Sequence, residues 1–139
     1  MAKSIEGGCL CGAIRYRATA EPRVSTLCHC RSCRLASGAP SVAWTVFPAD
    51  AFEFASGTPL TFESSPGVMR GFCGRCGMPL TYRRICGTET IDVTTVTLDA
   101  ADDYAPAKEI WVAEKLSWER LNDDMKHFAA SSVGAKSLD

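Results

Sequence analysis

The stretch "CHCRSC", residues 28–33, packs three cysteines and a histidine into six positions. Cys28 and Cys30 are too close in sequence to bridge each other in an ordinary intramolecular disulfide, but close enough for both thiolates to meet one ion. Disulfides also persist mainly in oxidising compartments. The N-terminal "MAKSIEGGCLCGAIR" has no apolar run of the kind that opens a signal peptide. Closely spaced cysteines without an export signal are read as metal ligands. A structural zinc takes four ligands, and this stretch offers three sulfurs. The fold and the function both turn on whether a fourth ligand arrives or the position stays open.

Two further pairs settle part of that question. "GGCLCG" supplies Cys9 and Cys11, and "FCGRCGM" supplies Cys73 and Cys76. The second pair has the form of a zinc knuckle. Two thiolates separated by two residues grip one ion in a tight turn, with Gly74 and Gly77 giving the backbone its freedom and amides aimed at the sulfurs. A knuckle needs two more ligands. On an extended strand Cys9 and Cys11 face the same way and would provide them. The four predict a closed Cys₄ site that ties the N-terminal strand to the middle of the chain and restricts the unfolded state.

Cys28, Cys30 and Cys33 then remain. The same strand argument puts Cys28 and Cys30 on one face, with Cys33 returning from a turn. Three protein ligands and one open position is the pattern of catalytic zinc. Cys86 stands alone; it either completes this second site or is buried as a small hydrophobe, and burial is the expectation. His29, between two ligands, points to the opposite face; it packs beneath the site or flanks a substrate channel. Arg31 and Arg34 lie in the same turn and offset the negative charge of a tris-thiolate zinc, hold a substrate carboxylate, or are simply solvated. Trp44 and Trp118 are expected in the core, and His127 on the surface.

The chain has 139 residues, one domain's worth. It is 46% hydrophobic and 22% charged, with a formal net charge of -1. That balance, without a Lys/Arg-rich run, argues against nucleic acid as a partner. No stretch is long enough to cross a bilayer, so no membrane partner is expected and the expected compartment is the cytoplasm. "GAIRYRAT" alternates, with Ile14, Tyr16 and Ala18 on one face and Arg15 and Arg17 on the other. "SVAWTVF", "AFEFAS", "LTFES", "MPLTYRR", "ETIDVTTVTL" and "EIWVAE" also read as strands. Helical periodicity is weak: one turn at "CRLAS" and another at "LDAADDY". We expect a mostly-β domain over residues 1–128, a frayed tail over 129–139, and metal supplying part of the folding free energy.

In order, "GGCLCGAIRY", "CHCRSCRLASGAPSVAW", "SSPGVMRGFCGRCGMPLTY" and "IDVTTVTLD…EIWVAEKLSW" resemble the glutathione-dependent formaldehyde-activating enzyme family, also called the centromere-protein-V-like domain. The match runs from about Gly7 to about Trp118. The resemblance implies an Mss4-like β-tent of small antiparallel sheets around its zinc sites. It implies one structural zinc on Cys9, Cys11, Cys73 and Cys76. It implies a second zinc on Cys28, Cys30 and Cys33, where the family's founding activity combines glutathione with formaldehyde. No role carries over to Cys86. Fold alone does not fix the reaction.

The functional expectation is a carbon–sulfur lyase: glutathione or a similar small thiol adds to formaldehyde or another small aldehyde at the open tris-cysteine zinc. Zinc lowers the pKa of the incoming thiol. Arg34 and His29 are the candidate contacts for that thiol substrate. The alternative is a non-catalytic zinc module that binds or carries glutathione or a protein partner.

Overall fold

The computed structural model describes residues 3–86 and 89–139. Eleven strands are present among them. β1 (Ile5–Gly8), β2 (Arg15–Ala18) and β5 (Phe52–Ser56) form a three-stranded antiparallel sheet in the order β1-β2-β5. β3 (Val24–Cys28), β4 (Val42–Pro48), β6 (Leu60–Ser65), β7 (Val68–Phe72), β8 (Pro79–Arg84), β9 (Thr90–Thr94), β10 (Lys108–Ile110) and β11 (Lys126–His127) form an eight-stranded sheet. Its order is β11-β10-β3-β4-β9-β8-β7-β6. The pairs from β3 to β6 are antiparallel, whereas β10 runs parallel to both β3 and β11. The protein is mostly β, as expected, and the second sheet extends by a parallel edge that the alternation did not foretell.

Alternation along β4 organises the interior. Val42 and Trp44 point to one face, where they pack with Cys28 and Cys33. Phe47 points to the other and joins Ile14, Tyr16, Ala18, Leu80, Ile91 and Val93, together with Cys9 and Cys73. Residues of opposite parity on a strand lie on opposite faces. The large sheet therefore carries one sulfur cluster on each side. The smaller sheet covers the second side: Tyr16 is fully buried, and its hydroxyl meets Thr97 Oγ1 at 2.7 Å. Gly7 is required at that junction, because a Cβ there would lie 2.4 Å from Thr97 O and from the Tyr16 hydroxyl.

Several expectations need correction. "EIWVAE" is a strand only to Ile110. Trp111 takes a left-handed φ of 57° and turns the chain into a 3₁₀ turn at Val112–Glu114; a bulky residue in that region is strained. Trp44 is in the core, but Trp118 is 68% exposed. Cys86 is exposed rather than buried. His127 is half-buried, not a surface residue. The segment after residue 128 is tied back: Trp111 N donates to Ala130 O (3.0 Å), and Leu138 N donates to His127 O (2.7 Å).

Candidate functional site

The first sulfur cluster grows from two turns. β1 ends at Gly8, and the next residues leave the strand. Gly12 N donates to Cys9 O at 3.1 Å, with Gly12 at φ +79°. Cys9 and Cys11 thus converge across a turn and not along a strand face, which corrects the route though not the pairing. Cys73 follows β7, and Gly77, at φ +76°, closes its turn with a hydrogen bond from its N–H to Cys73 O (2.8 Å). The amides aimed at Cys73 Sγ belong to Arg75 (3.3 Å) and Cys76 (3.4 Å), not to the glycines. Gly74 is small for another reason: a Cβ there would press on Leu60 Cδ1 at 2.9 Å. Cys9 Sγ stands 3.6 Å from Cys11 Sγ, and Cys11 Sγ 3.7 Å from Cys73 Sγ. All four sulfurs lie within 4.8 Å of one another. Tetrahedral zinc with bonds of about 2.3 Å separates neighbouring sulfurs by roughly 3.8 Å, so the set fits such an ion. Burial opposes ionisation of Cys9, yet the Ile14 N–H and the neighbouring thiols hold it down at about 6.

The second cluster sits where β3 ends. Cys28 is the last residue of β3, and His29 N donates to Ile110 O on the parallel neighbour β10 (3.1 Å). Cys30 is extended (φ -63°, ψ 152°) and caps helix α1 (Arg31–Ser37). Its sulfur accepts the Cys33 N–H at 3.3 Å, doing the work usually given to a Ser or Asp side chain. Gly38, left-handed at φ 72°, ends the helix. The three sulfurs of Cys28, Cys30 and Cys33 lie within 4.8 Å of one another. Among the described residues, no further Cys, His, Asp or Glu joins this group, and Cys86 is outside it. Hydrogen bonds from the Cys28 and Cys33 thiols push Cys30 down to about 2, helped by the charge of Arg70; those same contacts push Cys28 up. The three sulfurs are close enough together to hold a metal cation between them.

The arginine beside these sulfurs is one the sequence reading did not single out. Arg70, on β7, is buried. Both of its terminal nitrogens reach Cys33 Sγ at 3.7 Å, while Nε donates to Ser64 Oγ at 3.0 Å. Its guanidinium lies over Tyr82, 5.1 Å from the ring centroid. Arg34 has other work: Nε donates to His29 O (3.3 Å) and Nη2 to Glu114 O (3.1 Å). Arg31 N donates to Glu114 Oε1 at 2.9 Å. His29 and Glu109 are completely buried, with His29 Nε2 2.8 Å from Glu109 Oε1. Arg34 and His29 thus brace the cysteine loop. The only hint of Arg70 in the sequence was a lone charge within the otherwise uncharged strand "VMRGF".

A cavity of about 370 Å³ opens beside Cys33, bounded by α1, β4, β7 and the knuckle turn. Trp44 and Tyr82 pack together on this face, with ring centroids 6.0 Å apart.

The sequence model of the family described as glutathione-dependent formaldehyde-activating enzyme matches residues 4–114. An uncharacterized lyase of Schizosaccharomyces pombe is 34% identical over 79 residues, covering 55% of this chain and 56% of that protein. The match thus spans little more than half of that relative's length. A crystal structure of a Rhodobacter sphaeroides protein superposes with a TM-score of 0.55 at 19% identity, over 68% of this chain and 88% of that one. The likeness establishes a shared fold. No helix among the described residues is long and apolar enough to cross a membrane.

Proposed function

We propose, on the premise that this chain belongs to the glutathione-dependent formaldehyde-activating enzyme family, that it is a zinc-dependent carbon–sulfur lyase. In this reading it joins a small thiol such as glutathione to an aldehyde, or splits the adduct. The observation that carries the proposal is the contrast between the two clusters. Four sulfurs converge in one, enough for a tetrahedral ion, whereas three converge in the other, and one of these, Cys33, lines a cavity.

Cys9, Cys11, Cys73 and Cys76 would hold a structural zinc. Cys28, Cys30 and Cys33 would hold a second, which when bound supplies a Lewis acid that lowers the pKa of a substrate thiol. In the reaction the substrate S–H loses its proton, sulfur bonds to the aldehyde carbon, and the carbonyl oxygen gains a proton; no electrons are transferred to a second reagent. Three thiolates leave a divalent ion with a formal charge of about -1. Arg70 offsets that charge while staying tied to Ser64 and Tyr82, so it is a fixed electrostatic element and not a mobile base. His29 and Arg34 hold the loop that sets the sulfur spacing.

The decisive experiment is a metal count on purified protein, followed by turnover with glutathione and formaldehyde. About two zincs per chain and measurable adduct formation are the expected result. Two zincs with saturable glutathione binding but no turnover would instead support a non-catalytic carrier.

A further inference from the structure

The walls of the cavity beside Cys33 are mostly apolar. Val42, Trp44, Phe62 and Phe72 line it together with the hydroxyls of Ser37, Thr81 and Thr94, and Arg70 is the one ionic side chain among the lining residues. That guanidinium is already committed to Cys33 and Ser64. Phe62 is 64% exposed at the mouth, an aromatic face with no protein cover. Gly71, also in the lining, leaves the space beside Thr81 open; a Cβ there would lie 2.3 Å from Thr81 Oγ1.

Glutathione carries two carboxylates and an ammonium, and this cavity offers no free cation or acidic group to meet them. Formaldehyde has two heavy atoms, whereas about 370 Å³ has room for roughly a dozen waters at 30 Å³ each. Neither fills it. Resting on the lyase reading above, we infer that the cavity takes the substituent of an uncharged apolar aldehyde, aromatic or branched aliphatic, while the charged ends of the thiol stay outside in water. The balanced step is thiol S–H plus R–CHO giving S–CH(OH)–R. One S–C bond forms, the C=O π pair becomes an O–H bond with the thiol's proton, and no oxidant is needed.

The test compares kcat/KM of the zinc-loaded protein with glutathione plus formaldehyde, isovaleraldehyde or benzaldehyde. One methylene in an apolar pocket discriminates by roughly tenfold or more, so the larger aldehydes are expected to exceed formaldehyde at least tenfold. In Ala36→Trp, which fills the mouth from the exposed side of α1, that ratio should collapse. A second readout needs no turnover: calorimetric titration with benzyl alcohol, expected to saturate in the wild type and to weaken at least tenfold in Ala36→Trp. Turnover of formaldehyde at the same or higher kcat/KM than the larger aldehydes would overturn the inference and leave the lyase reading standing. A preference for benzyl mercaptan over glutathione, with formaldehyde as common partner, would assign the cavity to the thiol and also overturn it. No turnover of any pair would sink the lyase reading and the aldehyde assignment together. Absent or unaltered benzyl alcohol binding would remove the cavity as a ligand site.

Discussion

Arg70 is placed to do what no lysine could. Its planar fork touches Cys33 with two nitrogens, binds Ser64 with the third and stacks on Tyr82. Arg70→Lys keeps the charge but loses the fork and the stacking, so we expect kcat/KM to fall by about one to two orders of magnitude, close to the loss in Arg70→Met. Wild-type rates in the lysine variant would show that charge alone matters. Cys30→Ser removes one sulfur of the three-sulfur cluster, and the serine hydroxyl can still cap α1. The expected outcome is a metal count falling from about two to about one, lost activity and an unchanged far-ultraviolet circular dichroism spectrum. Global unfolding would mean that the second cluster is structural. At this scale the cysteines were legible because short spacing forces their proximity. Arg70 and the His29–Glu109 pair were not: 37 residues separate Arg70 from Cys33, and 80 separate His29 from Glu109. No local pattern records such contacts.

Turns, more than strands, gather the sulfurs. The alternation of β2 could be read directly because it has one buried face, and Tyr16 and Ala18 lie on it; β4 was recognised by its β-branched and aromatic residues, and both of its faces are buried. β7 was not singled out, and the strands expected through Cys9–Cys11 and Cys28–Cys30 end earlier, at Gly8 and Cys28, since "IEGG", "VSTLC" and "VMRGF" mix glycine, small polar residues and a charge among few apolar side chains. The end of β10 depends on the left-handed Trp111, a conformation sequence does not announce for a bulky residue. Cys73→Ser should therefore be costly for reasons beyond one lost sulfur. It also loosens the link between the β7–β8 turn and the N-terminal turn, where Cys11 Sγ meets Cys73 Sγ. A fall in Tm on the order of 10 °C or more, or failure to fold, is expected. An unchanged Tm would refute the closed-site assignment. Asp92, midway along β9, gives a second prediction. Burial pushes its carboxyl up to about 7, against the pull of Arg84. A carboxyl with a raised folded pKa binds its proton more tightly in the folded state than in the unfolded one. Stability therefore declines as pH climbs from about 4, the unfolded value, to about 7. Asp92→Asn should lack that decline, and at pH 8 its Tm should exceed the wild type's by about 3 °C or more. Equal Tm–pH slopes for the two proteins would contradict it.

Across the whole molecule, one sheet serves as a partition, with the four-sulfur cluster behind it and the three-sulfur cluster in front. A chain of polar groups, buried at His29 and Glu109 and exposed at Asp139, ties the front to the last residues. Glu109 Oε1 meets His29, while Oε2 accepts the Asn122 N–H (2.6 Å) and lies 3.1 Å from His127 Nε2. His127 Nδ1 in turn lies 3.0 Å from Asp139 Oδ2. Desolvation disfavours the charged imidazole of His127, but the Asp139 charge, the Asn122 carbonyl and Glu109 outweigh it, so its pKa is raised. A raised histidine contributes stability that is complete below the unfolded value, about 6.5, and is lost as pH rises through the higher folded value. Glu109, held below its usual range despite burial by His29 and Asn122, is ionised throughout that window and adds no slope of its own. Asp139→Asn removes the charge while keeping an oxygen that can accept the His127 N–H. Between pH 6 and 8 the wild type's stability advantage over Asp139→Asn should therefore shrink steadily, as measured by urea midpoints at each half unit of pH. Because the chain ends in His29, the variant should also exchange the Ile110-bonded His29 amide faster at pH 6, a change visible by hydrogen exchange. A constant difference across this range, with unaltered exchange, would mean that the last residues merely lie against the sheet and do not secure the cysteine loop.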